Sequence, residues 1–525
     1  MAASMSVTLG MHGMGVFVRV KPRQTNSSSI FKFQRRLATV AKYKTSVDDS
    51  LVGLATFRKH PGIIRPKSVR LPDALLQNVI KYLADKPVKQ LQPNAAAMAR
   101  YLLGRQRPLE RADLRAKAKE FASIQGVNDI DDEMIRSPDL SKENKKKIAS
   151  VMSKLKRHIY HWHPITYNET TSCAYMMSRI APNYAVTYRV LNEIRKRMAD
   201  FTPENLLDFG SGVGTTAWAA HSLWGDSLSE FFCVDTSRSM HELSDTLMRD
   251  NSTEEEEEAG NKTIIKGIYL RHFLPVSIQK KYDLTVSSFS LLELPSKADR
   301  LNTLRTLWHK TEQYLVLIEC GTNEGYQTIM EARDFILNDL KEEAERSSQG
   351  QAVGRLRNRE ELGEEADPMD AVGHVFAPCQ HDLACPRVTD GSGTPCNFEQ
   401  DFHHFNKKGL VSELTSERFC YLVLKKGPRV PGDNDNHWPR IVRPVLARSR
   451  HVICRLCCAN GQLQETVITK TKHGRELYRC ARYSKWGDLL PISKQSEPKS
   501  EPKSEPKSIE AAREDHDNSQ TDECP

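Results

Sequence analysis

Residues 206–218 read LLDFGSGVGTTAW, an apolar run, then D-x-G-x-G-x-G, then a segment that suits a helix. Gly210, Gly212 and Gly214 let the backbone turn sharply and let a ligand approach the chain closely. The spacing is not the G-x-G-x-x-G of a dinucleotide loop, whose helix N-terminus receives a pyrophosphate. Asp208 precedes the first glycine, and a carboxylate there repels phosphate but suits the cationic end of a ligand. Twenty-one residues after Gly214, Asp235 closes the apolar run FFCVD, where an acid can hydrogen-bond both hydroxyls of a ribose. The candidate ligand residues are therefore Asp208, Gly210, Ser211, Gly212, Gly214 and Asp235.

Outward from this loop, NLLDFG, EFFCVD, YDLTVSSFS and QYLVLIEC read as buried strands separated by amphipathic segments. Such alternation predicts an α/β fold with a parallel, doubly wound sheet over residues 201–345. The run Glu254–Glu258 falls in a connection and reads as a solvated insertion. Upstream, residues 60–200 read as helical. In LPDALLQNVIKYLADKP the apolar positions Leu71, Leu75, Leu76, Val79, Ile80 and Leu83 recur at helical spacing, with Pro72 suited to a first turn and Pro87 to a stop. The stretch SKENKKKIASVMSKLKRHIYHWHP is basic and then aromatic; it reads either as a phosphate-facing helix or as a solvated face followed by packed rings.

The loop, the alternating strands and Asp235 together resemble the first motif and second-strand acid of class I S-adenosylmethionine-dependent methyltransferases. The chemical half of such an enzyme is not evident. After the fourth strand the chain reads SSFSLLELP, without the Asn- or Asp-Pro-Pro-aromatic motif of base-amino methyltransferases. Cys320, at the end of IEC, is the one thiol placed to serve as a nucleophile, and it reads better as a buried cysteine. Glu293 and Glu319 lie near the expected pocket without forming an evident acid–base pair.

The chain has 525 residues, 39% hydrophobic and 27% charged, with a formal net charge of +9. That excess suits a polyanionic partner without demanding one. No run approaches the ~20 apolar residues of a membrane-spanning helix, so no membrane partner is expected. From Met1 to Val47 there is no Asp or Glu, while Arg19, Lys21, Arg23, Lys32, Arg35, Arg36, Lys42 and Lys44 are basic and Ser and Thr are frequent. A basic, Ser-rich, acid-free leader is the pattern of a mitochondrial transit peptide, assigned to residues 1–45; the other reading is a basic arm that binds nucleic acid.

A reducing mitochondrial matrix disfavours a disulfide framework and favours metal binding by clustered thiols. Nine of the twelve cysteines lie beyond residue 378, Cys524 in the tail among them. Cys379, Cys385 and Cys396 fall within 18 residues, and Cys454, Cys457 and Cys458 in HVICRLCCANG offer a fourth ligand. Four thiolates suit Zn²⁺ or a [4Fe–4S] cluster, and the wide, irregular spacing favours the cluster. His374, His381, His403 and His404 read as loop or packing residues.

The stretches DFGSGVGTTAW, VDTSRSM, YDLTVSSFSLLELP, GHVFAPCQHDLACP and LYRCARYSKWGDLLP resemble the mitochondrial ribosomal small-subunit-associated methyltransferase-like family, over about residues 70–492. The resemblance implies a matrix protein that binds the immature small ribosomal subunit, its ribosomal proteins and its rRNA during assembly. It implies an S-adenosylmethionine-binding fold in which methyl transfer is doubtful, the alternative being an active rRNA methyltransferase. It also implies a [4Fe–4S] cluster on Cys379, Cys385, Cys396 and Cys457, with Cys454 and Cys458 as rivals for the fourth place. Residues 370–492 are expected to form a cysteine-rich, β-rich element. Its cations (Arg440, Arg443, Arg448, Arg450, Lys470, Lys472, Arg475, Arg479, Arg482, Lys485) and rings (Tyr478, Tyr483, Trp486) suit RNA backbone neutralisation and base stacking. Residues 493–525, with the repeat SEPKSEPKSEPKS, are expected to be a disordered tail.

Overall fold

Parallel pairing of short, largely buried strands builds the centre of the protein. A computed structural model describes residues 45–47, 57–124, 142–158, 162–250, 262–275, 279–348, 372–405, 411–429 and 438–494. The leader before Thr45, the run Glu254–Glu258 and the SEPK repeats lie outside the described residues.

After a short strand β1 (Thr45–Val47), the main sheet holds β2 (Asn205–Phe209), β3 (Glu230–Val234), β4 (Ile268–Arg271), β5 (Tyr282–Ser288), β6 (Thr311–Cys320), β7 (Gly373–Ala377), β8 (Phe398–Phe405) and β9 (Val411–Lys426). Its order is β4-β3-β2-β5-β6-β9-β7, with β8 paired to β9. The first five are mutually parallel, and β9 runs antiparallel between β6 and β7. This is the expected doubly wound, class I methyltransferase-like sheet. The four strands expected over residues 201–345 fall where predicted; within that stretch β4 is additional, and beyond it β7 turns the start of the cysteine segment into sheet.

Each face of the sheet carries helices, as buried parallel strands require. On one side lies the 29-residue helix Glu169–Arg197, whose Met176, Ile180, Tyr184, Val190 and Ile194 join the larger core with Leu206, Val286 and Val316. Asn168 caps it by accepting from the Thr171 amide. The other side is covered by the helices Lys297–His309 and Asn323–Asp334, through Leu304, Trp308 and Ile329. The helical region upstream is as expected, with Leu75, Val79 and Leu83 of the helix Asp73–Ala84 buried.

A separate antiparallel sheet follows: β10 (Arg440–Ile441), β11 (Leu446–Ala447), β12 (His451–Cys457) and β13 (Leu463–Thr469), all paired around β12. Asn460-Gly461 lies in the hairpin turn between β12 and β13, with Gly461 at φ +73°. The next segment, part of the element expected to be β-rich, is a helix, Lys470–Tyr483, kinked at Gly474. Leu477, Tyr478 and Ala481 face the small core at helical spacing. The last strand, β14 (Ile492–Lys494), pairs with β1, so regular structure runs two residues into the segment expected to be tail.

Candidate cofactor pocket and candidate metal centre

Ligand sites in open α/β sheets form beyond the carboxyl ends of the strands. There β2 gives way to the glycine loop, with Gly210, Gly212 and Gly214 at φ +74°, +50° and +80°. A Cβ on Gly210 would stand 2.1 Å from the Ser290 Oγ, so only glycine fits beneath the loop that follows β5. A cavity of about 360 Å³ opens here, lined by Gly210, Gly212, Asp235, Tyr167, Glu293 and Glu319 among others. That size suits a small-molecule ligand.

Asp235 is held rigid: its Oδ2 accepts from the Gly212 amide at 2.9 Å and its Oδ1 from the Ser237 amide at 2.8 Å. Its remaining lone pairs are available to a ribose. Asp208, Ser211 and Gly214 do not line the cavity. Asp208 is fully buried beneath the loop, and burial raises its pKa to about 7, with the Thr216 hydroxyl opposing. Ser211 and Gly214 shape the turn: the Ser211 amide donates to the Val234 carbonyl, and Gly214 caps the helix Thr215–Trp224.

The residues where methyl-transfer chemistry would be sought are engaged elsewhere. The Glu319 Oε1 accepts from the amides of Leu291 and Leu292, at 2.9 and 3.2 Å, and so closes the turn after β5. Burial raises Glu319 to about 8, the backbone donors opposing. Glu293, raised by burial, lies 3.5 Å from Arg105. Burial pushes the Cys320 thiol up to about 12, far from a ready nucleophile.

Cys379, Cys385, Cys396 and Cys457 line a second, water-sized cavity of about 10 Å³, together with Arg387 and Arg440. The first three come from the connection between β7 and β8; Cys457 ends β12. The two-residue period of β12 separates the rivals. Val452, Cys454 and Leu456 point into the small C-terminal core, while Cys457 sits on the opposite face. Cys458 packs against that same small core, and neither Cys454 nor Cys458 lines the cavity. Among the described residues there is no disulfide.

Several groups missed in the sequence surround the thiols. The Tyr326 hydroxyl donates to Cys385 Sγ at 3.3 Å. Arg333 donates to the carbonyls of His381 and Leu383, at 3.3 and 2.6 Å. The hydrogen bond with Cys457, aided by Arg333 and Arg440, holds the Cys379 thiol below its ordinary range against the effect of burial. His381, expected to be a loop or packing residue, is buried with Nε2 3.4 Å from Cys457 Sγ. Arg440, expected on a basic RNA-facing patch, is instead wholly buried. Its Nε donates to the Pro378 carbonyl at 2.9 Å and its Nη1 to that of Gly487 at 2.8 Å. Register places it directly opposite Cys457.

The rest of the basic element divides. Arg448, Arg450, Lys470, Lys472, Arg475, Arg482 and Lys485 are exposed. Of the rings expected to stack on bases, Tyr478 is buried and Trp486 packs against the main core. Tyr483 alone is exposed, beneath the Arg58 guanidinium. The surface is a cationic helix with one ring rather than basic strands interleaved with aromatics.

Comparison with known proteins adds to this geometry. The model of the family "Mitochondrial small ribosomal subunit Rsm22" matches residues 169–347 and 355–491. The human ribosome assembly protein METTL17, mitochondrial, is 38% identical over 465 residues, covering 87% of this chain and 91% of the relative. The ribosome assembly protein RSM22, mitochondrial, of Saccharomyces cerevisiae is 24% identical, covering 62% and 68%. Among solved structures, precorrin-6y C5,15-methyltransferase from Geobacter metallireducens is 12% identical with a TM-score of 0.25, covering 46% of this chain and 87% of that one. A S-adenosylmethionine-dependent methyltransferase from Aquifex aeolicus is 15% identical with a TM-score of 0.22, covering 30% and 74%. Likeness that slight carries no weight beside the strand order itself. The family match spans both the glycine loop and the thiol-lined cavity, and by it the chain belongs to the mitochondrial small ribosomal subunit Rsm22 family.

Proposed function

We propose that this protein is a mitochondrial matrix factor that binds the rRNA and proteins of the immature small ribosomal subunit during assembly. In this reading it carries S-adenosylmethionine and a [4Fe–4S] cluster as structural cofactors and transfers no methyl group. The observation that carries the reading is the convergence of four thiols, from two distant stretches, on one cavity. The human and budding-yeast relatives, both named as mitochondrial ribosome assembly proteins, support the assembly role.

The donor set fits a cluster: Cys379, Cys385, Cys396 and Cys457 supply four sulfurs, with Arg440 beside them to offset anionic charge. A bound cluster contributes folding free energy by cross-linking its ligands. Here it would fasten the β7–β8 connection to β12 and so fix the cationic helix Lys470–Tyr483 relative to the main sheet. The other cavity fits S-adenosylmethionine, with Asp235 on the ribose and the glycine loop against the amino-acid end; bound there, the sulfonium would offer an electrophilic methyl group. Three features support an inactive site: Glu319 spent on the Leu291–Leu292 turn, the absent Pro-Pro-aromatic motif and the high thiol pKa of Cys320.

The test is replacement of the gene in cells with Asp235→Ala or Cys379→Ser, followed by separate measurement of small-subunit assembly and rRNA methylation. The proposal expects assembly to fail with Cys379→Ser. Loss of specific methyl marks with assembly intact in Asp235→Ala would instead establish the active rRNA methyltransferase.

A further inference from the structure

Arg105 reaches the cofactor cavity from outside the methyltransferase-like core. It follows the helix Val88–Leu103, is 2% exposed and lines the cavity. Its Nε donates to the Leu292 carbonyl and its Nη2 to the His163 carbonyl, each at 3.2 Å. The guanidinium lies over the Trp162 ring, 5.0 Å from the ring centre, and Nη1 is 3.5 Å from Glu293 Oε2. Trp162 Nε1 donates to the same Leu292 carbonyl at 3.3 Å. A carbonyl oxygen has two lone pairs, so this one is fully engaged. It belongs to the turn that a methyl acceptor would need. The neighbouring strands β3, β2 and β5 lead, in that order, to Asp235, the glycine loop and the turn Leu291–Glu293. A ligand held by the first two turns its reacting group toward the third. An amino acceptor docking there needs an oxygen to receive its N–H, yet Arg105 and Trp162 occupy the Leu292 carbonyl and two amides occupy Glu319 Oε1. The cavity, at about 360 Å³, is also at the small end of ligand pockets, which run from about 300 to 1,000 Å³.

We infer that Arg105 fills the methyl-acceptor position. Its planar, N–H-bearing guanidinium makes to the Leu292 carbonyl the hydrogen bond that the amino group of a base would make. Trp162 backs it and Glu293 balances its charge, so the cavity admits the cofactor and nothing beyond the sulfonium methyl group. The inference rests on the S-adenosylmethionine reading of this cavity. It assigns the upstream helical region a part in the site, as the wall that shuts the acceptor side.

The test is calorimetric titration of the full chain with S-adenosylmethionine and with an analogue in which benzyl replaces the sulfonium methyl. The parent should bind the analogue at least about tenfold more weakly, since there is no room for the added ring. Arg105→Gly should narrow that gap by about tenfold or more while keeping S-adenosylmethionine affinity within a few-fold. The double variant Arg105→Gly/Glu293→Gln, which leaves no unpaired buried charge, should do the same if the single variant does not fold. Phe273→Ala opens the cavity on the β4 side and should leave the gap unchanged. Equal binding of the two ligands by the parent overturns the inference while the cofactor reading stands. So does a gap that persists in a folded Arg105 variant, or one that Phe273→Ala closes as well. Loss of S-adenosylmethionine affinity without a narrower gap would make Arg105 a cofactor ligand and also overturn it. A parent that binds neither ligand refutes the cofactor reading itself, and the inference with it.

Discussion

Arg440 on β10 and Glu193 on the helix Glu169–Arg197 form an ion pair in which each side chain is 1% exposed. Glu193 also accepts from Tyr421 Oη at 2.8 Å and from Arg197 at 3.1 Å. Against the burial that would raise it, Arg440 and Arg197 hold its carboxyl down at about 2. Because Arg440 also binds the carbonyls of Pro378 and Gly487, one guanidinium joins the main helix, the cysteine connection and the C-terminal element. Removing one member leaves the other's charge buried without its counter-ion. Glu193→Ala should therefore cost about 3–5 kcal/mol in urea unfolding, and it should lower the metal content of the protein as isolated. Unfolding within experimental error of the parent would remove this pair from the framework of the site.

Gly210 is placed by sterics on two counts, its positive φ and its approach to Ser290. Gly210→Ala should cost about 1–3 kcal/mol through backbone strain and abolish calorimetric S-adenosylmethionine binding. Adding Ser290→Gly removes the steric part, so the double variant should regain some stability. Unchanged binding in Gly210→Ala would show that the loop does not touch the ligand.

Glu319 gives a pH-dependent test. Its carboxyl is raised in the fold to about 8 from an ordinary value of 4.5. A raised acid contributes most stability below its unfolded pKa and loses that contribution as pH rises through the folded one. The window is therefore about pH 4.5 to 8. Glu319→Gln keeps an oxygen for the Leu291 and Leu292 amides but cannot ionise. Its melting temperature should match the parent near pH 5 and exceed it at pH 8; parallel curves would show that Glu319 does not titrate in this window.

The exposed cations Lys472 and Arg475 on the last helix lead to a prediction about salt. Substituting both with Ala should weaken binding to small-subunit rRNA. The slope of log affinity against log salt should fall by roughly 0.7–0.9 for each phosphate the variant no longer neutralises. An unchanged slope would move the RNA-binding face elsewhere on the protein.

Much of this is legible in the chain, for identifiable reasons. Central strands such as β6, with YLVLI at 314–318, are apolar without interruption because both faces are covered, and that pattern survives in a single sequence. Strand β4 is short and half exposed, so it carries no such signal. The choice of Cys457 over Cys454 is available from the alternation of HVICRLC, since a strand cannot direct residues three apart to one face. The helix Lys470–Tyr483 is obscured by Gly474 and by the many cations around its few apolar positions. Arg440 reads as a surface cation because nothing local records its partner, which lies 247 residues away. The same is true of Tyr326 and Arg333, whose roles exist only once the helix Asn323–Asp334 packs beside the cysteine connection.

Sulfurs from the β7–β8 connection and from β12 are proposed to hold one iron–sulfur cluster. Iron and acid-labile sulfide, measured with the visible spectrum on protein isolated without oxygen, test it most directly. About four of each per chain are expected, with the absorption lost in Cys457→Ser and kept in Cys454→Ser. A colourless protein carrying one zinc and no iron, or a cluster that survives Cys457→Ser and disappears with Cys454→Ser, would contradict it.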